Sequence, residues 1–292
     1  MVNTSLRMIG VYVSNKFNTP SEVTDLTIAS GVTKANLPFV RMFLLAILAG
    51  AFIAFGACAS SLAMHDVPNI GLARLIAGFV FPVGLMMIVL VGGELFTGNC
   101  LMVEALVDKK IKAIHWLRNL VVVWIGNLVG SILIVALVIV ANQYSYTDGA
   151  LGAFTIKVAL GKATLPFWTA FGSAILCNIL VCVAVVAAMA ARDVVGKIFA
   201  IFFPIMAFVL SGFEHSVANM YYISAGIAAK SNTVFAEKAT ELYGISAQSM
   251  QALDIAGFFS NLIPVTLGNV VGGVALGLLL YFLHKKKDAT EK

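Results

Sequence analysis

The chain has 292 residues, of which 60% are apolar and 11% charged, with a formal net charge of +5 and a mean hydropathy of +0.97. Soluble domains carry about a quarter charged residues, so this composition excludes a soluble globular protein and points to an all-α integral membrane protein. The basic excess matches anionic lipid headgroups better than nucleic acid.

Residues 1–41 are the polar start of the chain. They lack the charged, apolar and small-residue order of a cleaved leader, so the first span is expected to be retained. Within them "PSEVTDLTIASGVTKA", residues 20–35, opens on Pro and Ser and spaces Val23, Leu26, Ala29 and Val32 by three. That pattern predicts a short amphipathic helix on the membrane surface, as an anchor or a plug, anchoring being the simpler role. A helix crosses a hydrocarbon core in about 20 apolar residues, and uncharged runs of that order lie at 43–64, 75–93, 119–141, 163–191 and 255–283. A further span, 198–229, contains Glu214 and His215. Residues 42–284 thus read as one six-span domain, followed by a basic tail at 285–292.

The 19 basic residues divide unevenly between the two sides. Arg7, Lys16, Lys34, Arg41, Lys109, Lys110, Lys112, Arg118, Arg192, Lys197, Lys285, Lys286, Lys287 and Lys292 share one side, against Arg74, Lys157, Lys162, Lys230 and Lys238 on the other. The positive-inside rule then puts both termini in the cytoplasm, with the spans in the plasma or inner membrane. Cys58, Cys100, Cys177 and Cys182 fall in or beside apolar spans without metal or disulfide spacing and read as small packing residues.

The chain repeats itself. "GNLVG" at 126–130 matches "GNVVG" at 268–272, and "GGEL" at 92–95 matches "GFEH" at 212–215. Two related halves of three spans each must insert with opposite polarity, the inverted repeat of many transporters. Spans two and five also carry Pro82, Gly84, Gly92 and Gly93 before Glu94, and Pro204 and Gly212 before Glu214. Both spans are therefore predicted to break near the midplane, lining a pathway or merely kinking for packing.

An ionisable group at the centre of a span costs about 2.5–3.5 kcal/mol on insertion scales. Glu94, Glu214 and His215 each need a partner or a purpose; Thr97, Asn99 and Asn178 can supply hydrogen bonds and Lys162 a charge. For both glutamates the simpler role is structural, accepting bonds from freed backbone donors at the breaks. For Lys162, placed at the start of span four, it is snorkelling to the outer headgroups. A lone histidine is more often a satisfied core residue, but its place beside a break and its ability to donate and accept a proton favour a functional role. No zinc-protease, nucleophile-elbow, phosphate-loop or dinucleotide pattern is present, so no enzyme activity, metal or cofactor is expected. Two intramembrane carboxylates are too few for a cation pump. Passage of a small solute, passive or linked to protons, is the remaining transport class, and a non-conducting membrane scaffold or sensor is the alternative outside it.

"GGELFTGN" at 92–99, "AILCNILVCVAV" at 174–185 and "GFEHSVANMYY" at 212–222, with the two "GN-x-VG" segments, resemble the formate/nitrite transporter family over essentially the whole chain. The resemblance implies a homopentamer of six-helix protomers with an aquaporin-like fold, each protomer with its own pore. It also implies a substrate that is a small monovalent anion or its acid: formate foremost, with nitrite or hydrosulfide as alternatives. The paired Asn-Pro-Ala motifs of water channels are absent. Carried over by position, the central histidine falls on His215 and the hydroxyl facing it on Thr97. The anion-attracting lysine falls on Lys162, with Asn178 and Glu214 associated with it. The apolar constrictions fall on Phe81 and Phe208 toward one face and on Leu85 and Leu95 toward the other. The substrate is expected to cross as, or with, a proton, donated by His215 or by water.

Overall fold

The computed structural model describes residues 17–285. Arg7, Lys16, Lys286, Lys287 and Lys292, all counted in the charge asymmetry, lie outside the described residues, as do most of the basic tail and the beginning of the N-terminal segment.

The described chain is helical throughout its ordered elements. In order these are α1 (Pro20–Ala35), α2 (Phe39–Met64), α3 (Ile70–Val80), α4 (Val83–Val91), α5 (Phe96–Asn99), α6 (Val103–Val107), α7 (Ala113–Val140), α8 (Ala150–Ala163), α9 (Phe167–Ala190), α10 (Val194–Leu210), α11 (Ser216–Lys230), α12 (Thr233–Tyr243) and α13 (Ile255–His284). Five segments are long and apolar enough to cross a membrane: α2, α3 with α4, α7, α9 and α13. The predicted fifth span is divided into α10 and α11. We call the side bearing α1 and the end of α13 the terminal face, and the other the far face.

Both breaks fall at the glutamates, but proline does not make them. Pro204 lies inside α10, and Pro82 sits in the short turn between α3 and α4. The helices end instead at Gly92 (φ 105°) and near Gly212 (φ 71°), a left-handed backbone that side chains with a Cβ rarely adopt. The extended strips Gly92–Leu95 and 213–215 follow, and α5 and α11 resume beyond them.

Two helices went unforeseen. Lys162 is not on the fourth span but on α8, a separate helix that ends just before Pro166 opens α9. α12 occupies the connection after residue 230, ending at Gly244 in left-handed conformation. α8 exposes a longer repeat. "KANLPF" at 34–39 and "KATLPF" at 162–167 share five of six residues, so each half begins with a helix ahead of its first span, α1 in one and α8 in the other.

α1 starts at a capping box, Thr19 with Glu22, and Pro20 at its first position, the sequence signature of a helix N-terminus. Its buried face runs through Val23, Thr24, Thr27, Ile28, Gly31 and Ala35, whereas Leu26 and Ala29 of the predicted stripe are exposed. The reason is tertiary. α1 lies against protein, and close approach selects its small residues: a Cβ on Gly31 would stand 2.9 Å from that of Ala105. The same rule holds in the spans. Cβ atoms on Gly126 and Gly130 would collide with α2, and on Gly268 and Gly272 with α9. These small-xxx-small faces let α7 meet α2, and α13 meet α9, backbone to backbone.

Candidate functional site: a histidine between two lysine clusters

A broken helix leaves backbone groups that lipid cannot satisfy. Here two asparagines take them. Asn127 Nδ2 donates to Glu94 O (2.9 Å) and Ala46 O (2.7 Å), and its Oδ1 accepts from Phe96 N (3.0 Å). Asn269 does the same in the other half, donating to Glu214 O (3.0 Å) and Ala174 O (2.8 Å) and accepting from Ser216 N (2.9 Å). These are the asparagines of the two "GN-x-VG" segments. The glutamate amides are also held, Glu94 N by Leu45 O (3.1 Å) and Glu214 N by Ser173 Oγ (3.1 Å).

The carboxylates are therefore not needed by the freed backbone, contrary to the structural role expected for them. Each is instead the centre of a lysine cluster. Lys162 Nζ donates to Glu214 Oε1 (2.7 Å), Asn219 Nδ2 to Glu214 Oε2 (2.6 Å) and to Asn261 Oδ1 (2.7 Å), and Asn261 Nδ2 to Lys162 O (2.9 Å). In the other half Lys34 Nζ donates to Glu94 Oε1 (2.8 Å), Asn99 Nδ2 to Glu94 Oε2 (2.7 Å) and to Asn119 Oδ1 (2.8 Å), and Asn119 Nδ2 to Lys34 O (3.3 Å). These four bonds recur in both networks, and each network adds one of its own: Lys34 Nζ also donates to Asn99 Oδ1 (2.8 Å), and Asn261 Nδ2 to Glu214 Oε2 (3.3 Å). Each pairs charges and fills their lone pairs, which is what makes a buried ion pair tolerable. Lys162 turns inward to Glu214 and over the Tyr222 ring, 5.3 Å from its centroid, so it does not snorkel to headgroups.

Aligned on these clusters, "ELFTGN" (94–99) faces "EHSVAN" (214–219). The polar pattern departs from symmetry at three positions: Leu95 against His215, Phe96 against Ser216, and Thr97 against Val217. Two of the odd polar residues touch, His215 Nε2 to Thr97 Oγ1, at 3.0 Å. His215 also caps α11, its Nδ1 accepting from Ala218 N at 3.0 Å. Because Nδ1 is an acceptor there, the neutral ring carries its hydrogen on Nε2 and donates to the Thr97 hydroxyl. The Thr97 carbonyl accepts from Asn178 Nδ2 (3.2 Å) and Cys182 Sγ (3.6 Å). Asn178 thus belongs to the Thr97 side and bonds Asn269 O as well (2.6 Å); the asparagines around Lys162 are Asn219 and Asn261.

Cavities of about 160 Å³ approach this pair from both faces. The far one is lined by Lys162, Arg74, Phe81, Phe208, Phe213 and His215, the terminal one by Lys34, Leu85, Leu95, Asn99, Ser30 and Val185 among others. Phe81 and Phe208 meet edge to face at 5.5 Å between centroids, and Phe208 stacks on the His215 ring at 5.8 Å. Phe81, Phe208, Leu85 and Leu95 are all buried. His215 and Thr97 therefore lie between the aromatic pair Phe81–Phe208 on the far side and the aliphatic pair Leu85 and Leu95 on the terminal side, with one lysine–glutamate cluster at each cavity. Sequence reasoning missed Lys34, Asn119, Asn219, Asn261, Asn127 and Asn269. The "K-A-x-L-P-F" repeat would have found Lys34.

The formate/nitrite transporter family model matches residues 21–283. A probable formate transporter of Methanothermobacter thermautotrophicus is 38% identical over 94% of this chain and 100% of its own length. The formate channel FocA of Haemophilus influenzae is 38% identical over 91% of this chain and 95% of its own. Among solved structures, a pentameric formate channel with formate bound superposes with a TM-score of 0.75 at 33% identity, covering 84% of this chain and 96% of that one. An FNT family ion channel superposes equally well at 27% identity.

Proposed function

Because this chain belongs to the formate/nitrite transporter family, we propose that it conducts formate across the membrane, one proton moving with each anion, through a pore in every protomer of a pentamer. The observation that carries this reading is the buried His215–Thr97 hydrogen bond, with the buried side chains of Phe81 and Phe208 to one side of it and of Leu85 and Leu95 to the other. The relatives described as formate channels or transporters, and the pentameric one with formate bound, support the choice of substrate and assembly.

Charge dictates the order of events. A bare carboxylate in a dry apolar constriction costs tens of kcal/mol in the idealised Born limit. Neutralising an acid that resembles an Asp side chain, with a pKa of about 3.9, costs at pH 7 about three units of 1.36, or about 4 kcal/mol. The anion is drawn into the far vestibule by Lys162 with Arg74, or into the terminal one by Lys34. It takes a proton at the apolar barrier, crosses as the neutral acid and releases the proton beyond the second barrier. Net movement is one anion and one proton, and no charge.

Water in the vestibule supplies that proton. His215 Nδ1 already accepts the Ala218 N–H, so an imidazolium would aim a second N–H at the first. What His215 offers is its Nε2–H, which can turn from Thr97 to a substrate oxygen in mid-passage. Both termini face the cytoplasm, consistent with fourteen basic residues on that side against five.

Stopped-flow uptake of formate, nitrite and hydrosulfide into proteoliposomes tests the proposal. Formate flux above protein-free vesicles supports it. Flux of nitrite or hydrosulfide with none of formate would reassign the substrate, and no flux of any would leave a non-conducting scaffold.

A further inference from the structure

Beneath α1, beside the terminal vestibule, lies a cavity of about 370 Å³, between α1, the end of α9 and the end of α13. Its walls are aliphatic, from Val23, Val183, Val186, Ala187, Leu276 and Leu280. One ionisable side chain is sunk into them. Glu104, on α6, lines the cavity and is 1% exposed, and among the described residues neither of its carboxylate oxygens has a hydrogen-bond partner.

That is an anomaly against the rest of the molecule, where Glu94 and Glu214 have a lysine and asparagines at their oxygens. Buried polar groups without partners are rare, and buried charges without them rarer. The other polar groups at the cavity do not answer Glu104. Asn18 Nδ2 donates to Met189 O (2.8 Å), Thr24 Oγ1 to Pro20 O (3.1 Å) and Thr27 Oγ1 to Val23 O (2.9 Å). His284, half-buried, also lines the cavity. A single ordered water would fill only a small part of the space.

A largely apolar cavity of several hundred Å³ with one placed polar group is the usual form of a small-molecule site. The ionised carboxyl only accepts, and a cation beside it is what favours that form in an apolar wall, so the complementary ligand brings N–H donors and a positive charge on an apolar body. We propose that this cavity is a binding site for an amphiphilic primary amine, its ammonium on Glu104 and its alkyl chain along α9 and α13. A phospholipid amine suits it less, since the lining offers its adjoining phosphate no lysine or arginine, only the imidazole of His284. Thr27 lines both this cavity and the terminal vestibule, so an occupant bears on the helix that carries Lys34.

The test is equilibrium dialysis of n-octylamine against the purified full-length protein in detergent, with n-octanol and octyltrimethylammonium alongside and protein-free micelles as the blank. One octylamine should bind per protomer, about tenfold or more tighter than either analogue, as expected for a charge-assisted hydrogen bond. Glu104→Gln, of nearly the same shape, should erase that preference. Octanol or the trimethylammonium binding as well as octylamine would overturn the proposal without any variant. So would a preference that survives in Glu104→Gln, or competition by phosphatidylethanolamine in nanodiscs.

Discussion

Replacing Asn269 with leucine tests how the second break is held. The asparagine is fully buried, and leucine fills a similar space with no polar atom. The exchange strands the Ser216 N–H, which now donates to Oδ1 at 2.9 Å, and the Glu214 carbonyl, which now accepts from Nδ2 at 3.0 Å. Each stranded buried group costs about 1–3 kcal/mol, so the pair costs about 2–6 kcal/mol. At about 2–4 °C per kcal/mol for chains near this length, the apparent melting temperature in detergent should drop by at least about 4 °C. Asn127→Leu strands Phe96 N and Glu94 O in the same manner and should cost about the same. The two differ in function, because Asn269 fixes the amide next to His215 and Asn127 the one next to Leu95. Scanning fluorimetry with formate flux in proteoliposomes reads both effects. A drop under about 2 °C, less than one stranded group costs, would refute the argument that these asparagines support the breaks.

Lys162→Met leaves the Glu214 carboxylate uncompensated and should destabilise the fold by about 3 kcal/mol, the low end of the range because Lys162 keeps some exposure. Adding Glu214→Gln should restore thermal stability but not uptake at low formate concentration; wild-type uptake in the double variant would remove Lys162 from anion capture. His215→Asn retains a strong N-cap for α11 while losing the Nε2–H toward Thr97, and His215→Phe loses both. The Asn variant should melt near wild type and the Phe variant about 1 kcal/mol lower, with formate flux reduced in both. Equal melting and undiminished flux would show that neither bond matters. Leu85→Ala with Leu95→Ala widens the aliphatic barrier and should admit lactate in a flux assay; unchanged selectivity would move the filter to Phe81 and Phe208.

Much of the architecture is written locally. Apolar runs of about 20 residues mark most spans because lipid demands them, and the breaks follow from Gly92 and Gly212 standing next to glutamates. The candidate site positions His215, Thr97 and Lys162 stand out because polar groups in such runs need a reason. The partners were harder to see. Lys34 lies 60 residues from Glu94, and its own surroundings read as a surface helix, so only the inverted repeat links the two. α8 merges into the hydropathy of α9, and the two separate only at the Leu165–Pro166 step. Asn127 and Asn269 were visible as a repeat but not as braces, since their targets are backbone atoms, which carry no residue-type signal. Asn178 was placed with Lys162 from the motif, while its hydrogen bonds lead to Thr97 and Asn269.

Formate uptake into proteoliposomes, measured together with membrane current while the external pH is stepped from 7.5 to 5.5, bears most directly on passage as the uncharged acid. At fixed total formate and well above the pKa of the acid, the neutral fraction rises about tenfold per pH unit. The account predicts that flux climbs with it toward saturation, with no accompanying current. Flux that is flat across this range, or that carries one charge for each formate moved, would contradict it.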